Sequence, residues 1–164
     1  MSSLSIRTFP DPILRKVCTP VRRIDRSTKA FIDRLIETLY RQPGGIGIAA
    51  PQVGVCKRIA IVDLSSKEPS AQRLVLINPV ILKGEGHRLF REGCMSLSDY
   101  TANVHRHEKV HVKWLGLDKQ NHELSANGIE AICIQHEIDH LNGILFVDRV
   151  ASLKTDVFRR RRYL

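Results

Sequence analysis

The run His136-Glu137-Ile138-Asp139-His140 constrains this chain more than any other segment. Histidines at i and i+4 stand on one face of a helix, with β-carbons about 6 Å apart, so both imidazoles can reach one metal ion. The spacing predicts a helix over 127–141, and Asn142-Gly143 supplies its stop. The glutamate between the histidines lies close enough to handle the proton of a water on that metal. The plainer alternative is a polar helix face whose histidines are satisfied by solvent.

Two histidines need a third ligand. Cys133 lies one turn before His136, but it is seven residues from His140. That is about 10 Å along the helix axis, too far for one ion held at about 2.0–2.3 Å. Cys133 reads instead as a small buried core residue. His105, His107 and His111 form a second cluster, read as the solvated face of a strand opposite Val110, Val112 and Trp114. Cys94, beside Gly93 in Glu92-Gly93-Cys94-Met95-Ser96, is the better candidate, although composition alone does not decide. A thiolate and two neutral imidazoles leave a fourth position for water, whose pKa such a metal lowers toward neutrality. A closed structural site would use four protein ligands.

The remaining pattern is α+β, a mostly antiparallel sheet packed around helices. Phe31, Ile32, Leu35, Ile36 and Leu39 recur at helical spacing and predict a helix over 27–41. Ser27 or Thr28 would cap it, and Pro43-Gly44-Gly45 would end it. Residues 57–64 and 73–82 read as strands, followed by a turn at Gly84-Glu85-Gly86. Residues 107–115 alternate as a strand does, and 121–124 read as a further short one. The 164 residues suit a single domain, assigned to 1–153, with 154–164 as a short basic C-terminal tail.

Lys and Arg number 26 against 17 Asp and Glu, a net charge of +9. Such a surface favours polyanions or acidic partners without naming one. Residues 1–17 contain no apolar secretory core, and no run approaches a membrane span, so a cytoplasmic location with four reduced cysteines is expected.

The segment Gly44-Gly45-Ile46-Gly47-Ile48-Ala49-Ala50-Pro51-Gln52 carries small residues suited to close approach of another chain. It is a poor dinucleotide loop, because a helix rather than a strand precedes it. The Gln52 amide could donate to a developing oxyanion in a narrow site.

Residues 45–52, Glu92-Gly93-Cys94-Met95-Ser96 and Gln135-His136-Glu137-Ile138-Asp139-His140, in that order, resemble the three signature motifs of the peptide deformylase family. Phe9-Pro10-Asp11-Pro12-Ile13-Leu14-Arg15 and Leu76-Ile77-Asn78-Pro79 are similar to two further family segments, so the likeness spans about 4–153. The resemblance implies hydrolysis of the N-terminal formyl group of nascent polypeptides, with the histidine helix packed between sheets. It implies Cys94, His136 and His140 as ligands of one divalent metal ion, Fe2+ in the native enzyme, with Zn2+, Ni2+ or Co2+ as other occupants. It implies Glu137 as proton carrier, and the Gln52 amide and the Met95 N–H as donors to the formyl oxygen. Ile46 and Gly47 would line the site, and Ile129, Ile132 and Cys133 would form the pocket for the first side chain, methionine.

Ser98 stands where the family commonly has proline, and Thr101 where an arginine that helps hold the peptide is common. The chain also ends soon after Lys154, without the long terminal helix of many bacterial members. These departures bear on peptide range and ribosome docking, not on the reaction class. Arg159-Arg160-Arg161-Arg162 reads as a solvated run, with contact to ribosomal RNA as the sharper expectation. Two rivals remain. A zincin-type endopeptidase would need a downstream His or Glu ligand, and little chain remains after His140. A deformylase fold with a specialised formylated substrate or a non-catalytic binding role is the other, although Gln52, Glu92, Cys94 and Glu137 are all present.

Overall fold

The computed structural model describes residues 3–160. Strands β1 (Gly47–Ala49), β2 (Ile59–Val62), β3 (Leu74–Glu85), β6 (Lys109–Leu115) and β7 (Asn121–Asn127) form one sheet in that order, antiparallel throughout. Strands β4 (Arg88–Gly93), β5 (Tyr100–Arg106) and β8 (Val157–Arg159) form a second antiparallel sheet. Helix α1 (Arg26–Tyr40) and helix α2 (Gly128–Leu141) pack on opposite faces of the first sheet. The expected α+β class and the helix between two sheets are what is observed.

The two-residue period of a strand explains this layering. Ile59 and Ile61 of β2 point into the core that Ile32, Leu35 and Leu39 of α1 close. Ala60 and Val62 point the other way, against Ala131, Ile134, Ile138 and Leu141 of α2. Val110, Val112 and Trp114 of β6 join that second core. The far side of α2 faces the second sheet, where Cys94, Ala102, Val104 and Phe146 form a third apolar cluster. Helix α2 is therefore enclosed on both sides, and Ala131–Leu141 is buried except for the partly exposed His136.

The N-terminal segment laces the site segments together. The Arg7 N–H donates to the Gln52 carbonyl at 2.7 Å and the Phe9 N–H to the Ser96 carbonyl at 2.9 Å. Asn78, with φ of 50°, accepts from the Val21 N–H and donates to its carbonyl, both at 2.8 Å. Asparagine tolerates that left-handed backbone, which suits it to position 78 inside β3.

Several expectations need correction. The α1 cap is Asp25, whose carboxylate accepts from the Thr28 N–H at 2.8 Å, so neither Ser27 nor Thr28 holds that place. β3 runs on through Glu85, leaving the turn to Gly86 at φ 67°. His105, His107 and His111 share no face: His105 lies on β5, His107 between strands, and only His111 on β6, paired with Ser125 and Glu123. Residues from 154 are no free tail up to Arg160. Leu153–Asp156 is a helical turn, and Val157–Arg159 pairs with Tyr100–Ala102. Arg161 and Arg162 lie outside the described residues.

Candidate metal centre

Helix α2 begins directly after β7, at Gly128 with φ of 57°, and carries His136, Glu137 and His140 into the space between the sheets. Cys94 arrives from the opposite side. It follows the last residue of β4 and precedes the 3-10 turn Met95–Leu97. The donor atoms of Cys94, His136 and His140 all lie within 4.8 Å of one another. Cys94 Sγ is 3.3 Å from His140 Nε2, and the two imidazoles meet edge to face at 4.9 Å between centroids.

A buried ionic lattice holds this arrangement. His136 Nδ1 lies 2.8 Å from a Glu92 carboxylate oxygen, which leaves Nε2 for the site. Arg106 donates to both oxygens of Glu92, at 2.7 and 2.9 Å, and its third nitrogen pairs with Asp139 on α2. Arg149 also donates to Asp139. Burial opposes ionisation of Glu92, but the Arg106 and His136 bonds outweigh it and hold its pKa at about 2. Burial likewise opposes the Cys94 thiolate, yet the charges of His140 and His136 bring its pKa well below the usual thiol value. His136 is pushed the other way: burial disfavours its charge, and Cys94 and Glu92 overcome that. The cluster thus favours a thiolate beside a protonated His136, and a metal cation can take the place of that proton.

Gln52 and Glu137 flank the three donors. The Ala49 N–H donates to Gln52 Oε1 at 2.9 Å, which turns the Gln52 amide toward Ser96 Oγ at 3.2 Å and Cys94 Sγ at 3.4 Å. Glu137 is buried, its Oε2 has no hydrogen-bond partner, and burial raises its pKa to about 7. Gly47 makes room for it, since an added Cβ would stand 2.5 Å from Glu137 Oε1 and 2.7 Å from Cys133 Sγ. Burial and the neighbouring Glu137 charge raise the Cys133 pKa far above the usual value, so it stays a neutral wall.

These groups open onto a pocket of about 530 Å³. Ile46, Gly47, Gln52, Met95, Ile129, Ile132, Cys133, His136 and Glu137 all line it, with Cys94. His140 sits deeper, 1% exposed, with its Nδ1 unpartnered. Among the described residues, Cys94, His136 and His140 are the one group of three or more such side chains placed to hold a metal, and the His105, His107 and His111 set is not. The supporting parts that the motifs did not reveal are the contacts of Glu92, Arg106 and Asp139. Their only linear trace is that Glu92 and Asp139 fall inside the motifs, while Arg106 occupies an inward-facing position of β5.

Three converging soft and borderline donors and an orphaned buried carboxylate oxygen fit one divalent metal ion. The sequence model of the family described as polypeptide deformylase matches residues 3–156. The peptide deformylase of Thermodesulfovibrio yellowstonii is 44% identical over 161 residues, covering 98% of this chain and 97% of its own. The peptide deformylase of Synechococcus elongatus, solved in complex with actinonin, superposes with a TM-score of 0.87 at 40% identity, over 92% of this chain and 82% of that one. The Acinetobacter baumannii peptide deformylase bound to Met-Ala-Ser gives a TM-score of 0.84 at 35% identity, over 91% and 99%. The chain therefore belongs to the polypeptide deformylase family, metallohydrolases that remove the N-terminal formyl group from nascent polypeptides.

Proposed function

We propose that Glu137 carries the proton of the deformylation, with Cys94, His136 and His140 as the metal ligands. The observation that carries this reading is the buried, unpartnered Glu137 Oε2 beside the ligand cluster, with Gly47 leaving room for the other carboxylate oxygen, Oε1. A bound divalent ion supplies Lewis acidity and an acidified water. Glu137, with a pKa of about 7 before any cation is bound, can take the proton of the attacking water and return it to the leaving nitrogen.

The formyl oxygen gathers negative charge as its carbon becomes tetrahedral. The Gln52 amide is oriented for it by the Ala49 bond to its other end. The Met95 N–H opens a 3-10 turn, where early N–H groups lack partners within the turn, and it is the second donor. Ile46, Ile129, Ile132 and the neutral Cys133 give an apolar wall suited to a methionine side chain, with Gly47 admitting the chain at close range. The peptide seen with the Acinetobacter baumannii relative supports a peptide in this pocket.

Fe2+ is the proposed native ion, supported by the family resemblance, and the thiolate-imidazole set also accepts Zn2+, Ni2+ or Co2+. A cytoplasmic site of action accords with the four free cysteines. No helix of the described residues is long and apolar enough to cross a membrane. Contact with ribosomal RNA rests on the net charge of +9 and the exposed Arg159 and Arg160. Cosedimentation with ribosomes that is indifferent to salt, or to removal of 159–164, would rule it out.

The test is formate release from formyl-Met-Ala-Ser by anaerobically purified, iron-loaded protein, with Glu137→Ala alongside. Release that disappears in the variant while its metal content holds supports the assignment. Undiminished release by Glu137→Ala refutes it.

A further inference from the structure

The pocket mouth is cationic in a way the chemistry at its base does not require. Lys67, Arg91 and Arg160 line it, and the two carboxylates of its lining, Glu92 and Glu137, are buried. Glu92 is already bound by Arg106 and His136. The three cations are not equivalent. Arg91 stacks on the Phe158 ring at 3.7 Å and donates to Thr101 Oγ1 at 3.2 Å. Lys67 is a point charge on a flexible stem.

Arg160 is different because β8 aims it. The Thr101–Phe158 pairing fixes the strand, Arg91 clamps Phe158, and the Arg160 N–H donates to the Asp99 carbonyl at 2.7 Å. From there the side chain reaches back across β5. A Cβ built on Gly93 would collide with Arg160 Nη2 and lie 3.6 Å from Thr101 Cγ2. The guanidinium therefore covers Gly93, the residue before the ligand Cys94. Its fork suits a carboxylate, which can accept two parallel N–H bonds.

We propose that Arg160 is a specificity-determining residue that binds a carboxylate side chain carried shortly after the formylated residue. An extended chain advances about 3.3–3.6 Å per residue, and successive Cα atoms are about 3.8 Å apart, so a cation one residue removed from a metal ligand meets roughly the second or third residue. The chain thus favours formyl-Met peptides with Asp or Glu there. The inference rests on the proposed placement of the formyl group between Glu137 and the ligands.

The test compares Asp with Asn at the second residue (formyl-Met-Asp-Ala-amide, formyl-Met-Asn-Ala-amide) and at the third (formyl-Met-Ala-Asp-amide, formyl-Met-Ala-Asn-amide) on the iron-loaded wild type, Arg160→Ala and Arg160→Lys. The terminal amide removes the competing carboxylate, and formyl-Met-Ala-Asn with a free terminus tests that other source. Wild type is expected to favour Asp by about three- to tenfold in kcat/KM, expressed in KM, as for an exposed charge-assisted pair. The preference should vanish in Arg160→Ala, return in part in Arg160→Lys, and shrink in about 0.5 M salt. Equal rates within both pairs of amides in wild type, or a preference that survives in Arg160→Ala, overturns the proposal. So does a preference confined to the free terminus. If no peptide releases formate, the placement of the reaction is what has failed. Calorimetric binding of Met-Ala-Asp-amide against Met-Ala-Asn-amide then decides Arg160 by the same ratio.

Discussion

The Glu92 carboxylate stands 2.8 Å from Nδ1 of His136, and Arg106 holds both of its oxygens. A carboxylate behind a ligand histidine fixes the ring and its tautomer, so that Nε2 faces the ion. Glu92→Ala should lower metal affinity about 10- to 100-fold. It also strips Arg106, 3% exposed, of one of its two carboxylates, with an expected loss on the order of 3–5 kcal/mol in stability. Chelator competition measures the first and urea unfolding the second. Unchanged metal affinity would mean that His136 is held by packing alone.

The same contact sets an acid limit. The folded pKa of Glu92, about 2, lies below its ordinary 4.5. A depressed carboxylate contributes stability that is present above the unfolded pKa and lost as pH falls through the folded one. Roughly 3 kcal/mol should therefore disappear between about pH 4.5 and pH 2. Urea midpoints of metal-free protein against pH would show the slope, and Glu92→Gln should flatten it.

Glu137 works in the opposite sense. Its folded pKa is raised from 4.5 to about 7 by burial. The native state then holds the proton more tightly than the unfolded chain, so this advantage is full below about pH 4.5 and lost as pH rises through about 7. Metal-free Glu137→Gln should lose that decline and match or exceed wild type at alkaline pH. Carbon-13 chemical shifts of the Glu137 carboxyl should titrate near 7 without metal. A divalent cation beside the group should move the midpoint down, because it favours the charged form. A midpoint near 4.5 in the metal-free protein would contradict the burial argument.

The donors legible in the sequence are those whose chemistry is set by short-range spacing. His136 and His140 announce themselves because a helix puts i and i+4 on one face. Cys94 and Gln52 sit in compact motifs whose glycines mark close approach, and Gly47 does abut Glu137. The alternation of 107–115 likewise exposed β6, trimmed by two residues. Arg106 was invisible for a physical reason. An arginine on a strand is ordinarily read as solvent-facing, and only three-dimensional pairing with Glu92 and Asp139 makes its burial tolerable. Strand β8 was hidden similarly: three residues next to an arginine run carry no periodicity, and their order comes from the free edge of β5.

Gly47 offers the sharpest steric test of the site. In Gly47→Ala the new methyl would stand 2.5 Å from Glu137 Oε1 and 2.7 Å from Cys133 Sγ, both well inside contact distance. Both neighbours are buried, so either can yield only by shifting within the packing or into the pocket that both line. Overpacking of this kind is expected to reduce stability by about 1–3 kcal/mol. If Glu137 yields instead, it leaves the position proposed for its proton transfer, and formate release should fall at least about tenfold with the metal still bound. Adding Cys133→Ala opens space on one side of the methyl. The double variant should regain stability relative to Gly47→Ala, while its activity stays low because the Glu137 contact remains. Strict additivity of the two stability changes would show that the methyl never met Cys133, and wild-type turnover in Gly47→Ala would place Glu137 elsewhere during the reaction.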